Sequence, residues 1–381
     1  MTNEIKALTG LRGVAAGVVA ISHLDFMRWA PFKFIAFHNM AVDLFFCLSA
    51  FTLCLAYRPF ETTRLDLRAY GVARFARIYP LYLFGLIIAA LTFMRWNTGD
   101  YATYSGSATR DFLLQLFMLN ALPIGNGVHW NGPAWSLSVE AFCYLAVFPL
   151  LFYATRRAAR WPEWLRTSLI VTLVAIAYFM FARHFNWRLL DHGTVTDDPL
   201  AYWTPIVRGV CSFGAGWLAY IAWINKDSFA RFAVANTDAL IVVALLILTG
   251  MTYGAAAQEM LMFVWPLLVV GLMQNTSWTA RFLSCRPMVW LGHLSYSIYL
   301  CHMLVWHLSM KAFPILSTSE PLRFVVQVSG TLLVSCMTYY LLERPARSAI
   351  RNALGAKRTR AGGSNNYAGS GGLASERADT K

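Results

Sequence analysis

LTGLRGVAAGVVAISHLDF, residues Leu8 to Phe26, decides how the rest of the chain is read. The stretch is apolar enough to enter a bilayer, yet it carries Arg12 and His23. In a helix the eleven steps between them rise about 16 Å and turn about 1100°, within roughly 20° of three full turns, so the two side chains leave on one face. An arginine in a membrane helix costs roughly 2.5–3.5 kcal/mol on insertion scales, and ionisable groups at that depth are read as functional, facing protein or water. Arg12 lies near the entry end, where its long stem lets the guanidinium reach the interface. His23 lies deeper and calls for a partner.

The composition agrees with a membrane reading. Hydrophobic residues make up 57% of the 381 and charged residues 13%, against roughly 45–50% and 25% in soluble domains. Apolar segments of spanning length recur from one end to the other with short polar joints, which excludes a soluble multidomain protein. The expected fold is all-α: a polytopic integral membrane protein of about ten transmembrane helices, occupying residues 1–347. Residues 348–381, basic and then Gly/Ser-rich, are expected to form a disordered tail. The net charge of +13 would otherwise suggest nucleic acid. Here the bases gather in alternate loops, as the positive-inside rule requires. The seven cysteines lie mostly in apolar runs without paired spacing, and read as core packing rather than disulfides or a metal site. The first apolar stretch lacks a strongly basic leader and a small-residue cleavage site, and is expected to remain as a signal anchor.

The second span is Ala41 to Tyr57, followed by a loop with Arg58, Arg64, Arg68, Arg74 and Arg77 that assigns this side to the cytoplasm. A third runs from Ile78 to Met94, with Pro80 in its first turn. Asp111 to Leu122 is too short to cross and is read as re-entrant or interfacial. The Gly/Pro/Asn-rich loop PIGNGVHWNGPAW then leads into Ser136 to Ala154, which stops at Arg156, Arg157 and Arg160. Further spans are expected at Ser168–Ala182, Thr204–Ile224, Asp238–Gly254, Met260–Gln274, Met288–Met310 and Phe324–Leu342, with both termini cytoplasmic.

The candidate chemistry lies in a few polar groups. His23, Asp43 and Glu140 fall at similar depth on the outer side of this topology. A histidine with a carboxylate suits acid–base work, because one ring nitrogen is fixed while the other takes a proton. Asp43 admits a second reading as a cap of the second helix. Glu140, inside an apolar run, does not. His302, near Tyr299 in the ninth span, is read either as a hydrogen-bonded packing residue or as a functional one. Arg74 and Arg77 stand one helical turn apart, a spacing that could grip phosphates.

Six segments together resemble the membrane-bound acyltransferase type 3 family: LRGVAAGVVAISHL with its Arg-x10-His spacing, MAVDLFFCLSAF, RFARIYPLYL, WSLSVEAFCYLAVFPLL, LGHLSYSIYLCHMLV and LLERPAR. They occur in the family's order from about Leu8 to Arg347. Ala50 stands where the family usually has glycine. The resemblance implies an O-acyltransferase of the bacterial inner membrane. It would take an acyl group, most simply acetyl, from cytoplasmic acyl-CoA to a hydroxyl of a surface or lipid-linked glycan, without a metal. Arg12, Arg74 and Arg77 would meet the acyl-CoA phosphates. His23, helped by Glu140 or Asp43, would be the base or carry the acyl group. His129, Asn131, Trp135, Tyr299 and His302 would face the acceptor. A proton-coupled transporter also uses buried charges of this kind. Acylation of a hydrophobic small molecule is a further alternative.

Overall fold

The computed structural model describes residues 4–23, 39–96, 108–124, 130–184, 203–250, 259–274 and 276–354. Among these residues there are helices and turns and no strand. In chain order the helices are α1 (Lys6–Ser22), α2 (Asn39–Tyr57), α3 (Leu67–Trp96), α4 (Ala108–Leu116), α5 (Ala134–Phe142), α6 (Phe148–Ala158), α7 (Glu163–His184), α8 (Thr204–Asn225), α9 (Ser228–Ala235) and α10 (Thr237–Gly250). After a 3-10 turn at Glu259–Phe263 follow α11 (Trp265–Gly271), α12 (Trp278–Leu283), α13 (Arg286–Ala312), α14 (Glu320–Thr338) and α15 (Arg344–Ala353). Seven described helical stretches are long and apolar enough to cross a membrane, or eight if α9 and α10, bent by 77°, form one broken span. α1, with 17 residues, falls just short of the 18-residue length. His129 and residues 355–381 lie outside the described residues, whereas residues 348–353, expected to belong to the disordered tail, are helical within α15.

Two expectations need correction. The arginine-rich segment before Ile78 is not a loop: α3 begins at Leu67, so Arg68, Arg74 and Arg77 are helical and Pro80 lies inside the helix. Asp66 explains the early start, because its Oδ1 accepts the N–H of Ala69 at 2.9 Å and satisfies an orphan donor of the first turn. The stretch Met260–Gln274 is not one span either. It divides into the 3-10 turn and the seven-residue α11, which rises only about 10 Å. The stretch Asp111–Leu122, read as too short to cross, holds the nine-residue α4.

α2 and α8 occupy the centre, and the apolar core is continuous around them. α1 packs along α13 in the same direction. Their backbones meet at Gly13 and Gly292: a Cβ on Gly13 would strike the Gly292 backbone, and one on Gly292 would strike the Thr9 carbonyl. Small residues at such a crossing let two membrane helices approach closely.

Two π-helical turns interrupt the long helices. Cys143–Val147 joins α5 to α6, and Tyr339–Glu343 joins α14 to α15. Each is followed by a proline, Pro149 or Pro345. A helical proline lacks the N–H for the carbonyl four residues back and its ring collides with it. Those carbonyls belong to Leu145 and Leu341, inside the π turns, where the wider winding relieves the collision.

Candidate active site

The face shared by Arg12 and His23 is turned to α13. Arg12 donates from a terminal guanidinium nitrogen to Ser295 Oγ at 3.0 Å. At the other end of α1, Nδ1 of His23 lies 3.3 Å from Nε2 of His302, with ring centroids 4.8 Å apart. Ser295 and His302 are two turns apart on α13 and so share its face. His302 is buried.

Beside Arg12 the helices enclose a cavity. Arg12, Arg77, Glu140, Ser49, Ser136 and Tyr299 contribute its polar lining, with Phe45, Phe46 and Leu137 among its apolar wall. Glu140 ends α5 just before the π turn. Its Oε1 accepts from Ser49 Oγ at 2.8 Å and from the hydroxyl of Tyr144, a residue of that π turn. Ser136 Oγ donates to the Pro133 carbonyl at 3.1 Å, so the 2.6 Å contact with Tyr299 has the tyrosine hydroxyl as donor. The cavity's free space is about 60 Å³, room for a few waters but not for an acyl-thioester arm.

The second π turn supplies Glu343. This buried carboxylate accepts from Ser297 Oγ at 3.0 Å and from Arg347 at 2.5 Å. Arg12 and Arg77 have both Glu140 and Glu343 as electrostatic neighbours, and Arg347 has Arg74 and Arg77. Four guanidiniums thus gather around two carboxylates. Arg74 sits among the rings of Tyr144, Tyr57 and Tyr70, 5.6, 5.8 and 6.0 Å from their centroids, a cation–π setting.

Other expected site residues are elsewhere. Asp43 neither caps α2 nor lines the cavity. Its carboxylate takes Nε of Arg208 at 2.9 and 3.0 Å, a terminal nitrogen of the same residue, and Ser212 Oγ at 3.0 Å. Glu259 adds a second carboxylate 3.4 Å from Arg208. This cluster ties α2 to α8 and to the 3-10 turn. Asn131 is buried, donates from its side-chain amide to the Leu300 carbonyl at 3.3 Å and accepts on its backbone carbonyl from Gln115 at 3.3 Å. It anchors its loop rather than offering an amide at a surface. Trp135 is half-buried against the core. Ser49, Tyr144, Glu343 and Arg347 belong to the site although sequence reasoning gave them no part in it. Ser49 and Tyr144 stood within quoted motifs but had no charge to single them out. The Glu-Arg-Pro-Ala-Arg run was the available signal for Glu343 and Arg347.

A helical membrane protein with a basic internal cavity and a histidine pair defines a class, and the comparisons name it. Residues 5–340 match the acyltransferase domain family, type 3, and the chain belongs to that family. The peptidoglycan O-acetyltransferase OatA of Listeria monocytogenes is 22% identical over 366 residues, 90% of this chain and 56% of that protein. The O-acetyltransferase OatA of Staphylococcus aureus is 23% identical over 365 residues, 90% of this chain and 57% of that one. The acyltransferase MdmB of Streptomyces mycarofaciens is 24% identical over 322 residues, 79% of each chain. The chain thus spans little more than half the length of the two O-acetyltransferases. No solved structure matches it.

Proposed function

We propose that the protein is an inner-membrane O-acyltransferase that moves a short acyl group, acetyl in the simplest case, from cytoplasmic acyl-CoA to a hydroxyl of a surface or lipid-linked glycan. The observation that carries this reading is the division of α1: a cation-rich cavity at Arg12 and an imidazole pair at His23, eleven residues apart on one face. Bases flanking the helices assign the Arg12 end to the cytoplasm and both termini with it. Two guanidiniums facing one engaged carboxylate fit a phosphorylated donor, since arginine binds phosphate through paired N–H groups. The names of the Listeria and Staphylococcus relatives support acetyl as the group, and the former a glycan as the acceptor.

In this reading Arg12 and Arg77 hold the donor's phosphates, with Arg74 at the mouth. His23 takes the proton of the acceptor hydroxyl as its oxygen bonds to the thioester carbon. The carbon–sulfur bond breaks with its electron pair on sulfur, and the proton passes on to that thiolate, so CoA leaves as the thiol. Of the two carboxylates considered as helpers, Asp43 is committed to Arg208, and Glu140 lines the cavity beside Arg12, where we assign it to the donor site. The narrow cavity requires the helices to part before the thioester arm enters.

The test is release of free CoA thiol from acetyl-CoA by the full chain in nanodiscs, with and without an extract of the host's surface glycans. Release that needs the extract and vanishes in His23→Ala is expected. Folded protein that releases none with any acyl donor or extract would sink the proposal.

A further inference from the structure

We infer that His302 is the positioning residue of His23: together with the Val19 carbonyl it holds the tautomer that leaves Nε2 of His23 as the basic nitrogen, and it orients the ring from the place a carboxylate fills in the commoner arrangement. The inference rests on the proposed reading of His23 as the base.

The hydrogen bonds carry the argument. Nδ1 of His302 lies 3.2 Å from the carbonyl of Ile298, one turn back on α13, and Nδ1 of His23 lies 2.9 Å from the carbonyl of Val19, one turn back on α1. A carbonyl only accepts, so each Nδ1 carries the hydrogen, and in a neutral imidazole the other nitrogen then bears a lone pair. Nε2 of His302 is such a lone pair, 3.3 Å from the Nδ1–H of His23. That hydrogen is shared between Val19 and His302, and both rings are held in one consistent pattern.

A neutral partner has a chemical consequence. When Nε2 of His23 takes a proton, its Nδ1–H becomes the donor of a charge-assisted bond to His302, which strengthens as the charge forms. A carboxylate in the same place would hold the imidazolium far more firmly. An imidazole orients the base and still lets the proton pass to a departing thiolate, whose need for it ends the reaction. Tyr299, whose ring lies 6.1 Å from His302, does not compete, because its hydroxyl is engaged by Ser136.

The experiment compares His302→Phe and His302→Gln in the full chain in nanodiscs, read by CoA-thiol release with acetyl-CoA and the glycan extract. His302→Phe keeps ring volume but offers no acceptor. It should lower kcat about 100-fold, the scale of a general base out of place, with KM for acetyl-CoA within about twofold. His302→Gln restores an acceptor and should recover about tenfold of that loss. Equal loss in both variants, or a kcat for His302→Phe within about threefold of wild type, would overturn the inference. A second measurement needs no altered His302: nitrogen-15 spectra of histidine-labelled wild type, with the His23 signals assigned by their loss in His23→Ala. Hydrogen on Nδ1 of His23 is expected, and hydrogen on Nε2 would overturn the inference. Failure of the underlying reading looks different, since His23→Ala would then turn over normally.

Discussion

Two of the charge clusters enclosed by the described helices differ in their balance. In the first, a single guanidinium, Arg208, is met by Asp43 and Glu259, and Asp43 is met again by Ser212. None of these residues lines the cavity. In the second, Arg12 and Arg77 share a cavity with the carboxylate of Glu140, which is already engaged by Ser49 and Tyr144. A group of opposite charges locked to one another away from any cavity holds helices together rather than facing a ligand. Excess positive charge beside a cavity is suited to an anion brought from outside. The residues are of the same kinds, and only the balance separates a strut from a site.

The largest effect expected from this contrast is on stability. Asp43→Leu takes from the buried Arg208 its nearer carboxylate, and should destabilise by about 3 kcal/mol, the lower end for a broken buried pair because Glu259 remains in reach. Thermal unfolding in detergent would show it. An Asp43→Leu protein with wild-type unfolding and no turnover would reverse the assignment of the two clusters. Next comes binding: Arg77→Met should weaken acyl-CoA affinity about 10–100-fold, since a hydrogen bond to a charged group is worth about 1.5–3 kcal/mol. Its unfolding temperature should stay near wild type, and loss of stability with unchanged donor affinity would count against the contrast. Gly292→Ala should cost about 2 kcal/mol by wedging α1 from α13, and should impair turnover in the same variant because both Arg12 and His23 depend on that contact. Normal turnover there would show that the pairing with α13 does not matter for catalysis. The smallest effect belongs to Tyr144→Phe, which removes one hydrogen bond from Glu140 and should cost about 1 kcal/mol, read as a rise of a few-fold in KM for acyl-CoA.

Much of this was legible from residues that were out of place in their surroundings. Arg12 and His23 stood out because a bilayer segment does not carry them without reason, and the structure turns both to α13. Glu140 stood out for the same reason and faces the cavity. Asp43 also stood out, but its partner Arg208 lies 165 residues away, and sequence shows two lone charges where the fold has a pair. The span expected at Met260–Gln274 failed because hydropathy counts apolar residues without seeing that the backbone breaks between the 3-10 turn and α11. The arginines of α3 were assigned to a loop because Pro80 was read as a start, whereas Asp66, fourteen residues before it, supplied the cap. Ser49 and Tyr144 could not be singled out from sequence: a hydroxyl in a membrane helix gives no sign of which carboxylate it will meet.

The π turns bear on how relatives of this chain should be aligned. A π turn accommodates one residue more than the α-helix would, so losing a residue there lets the helix close up without rotating either flank. Leu145 and Leu341, in the two turns, are 67% and 72% exposed and have little packing to lose. A single-residue gap opposite either position therefore would not signal a misplaced helix. It would signal a straighter one, in which the tyrosine or glutamate carried by that turn no longer reaches its partner.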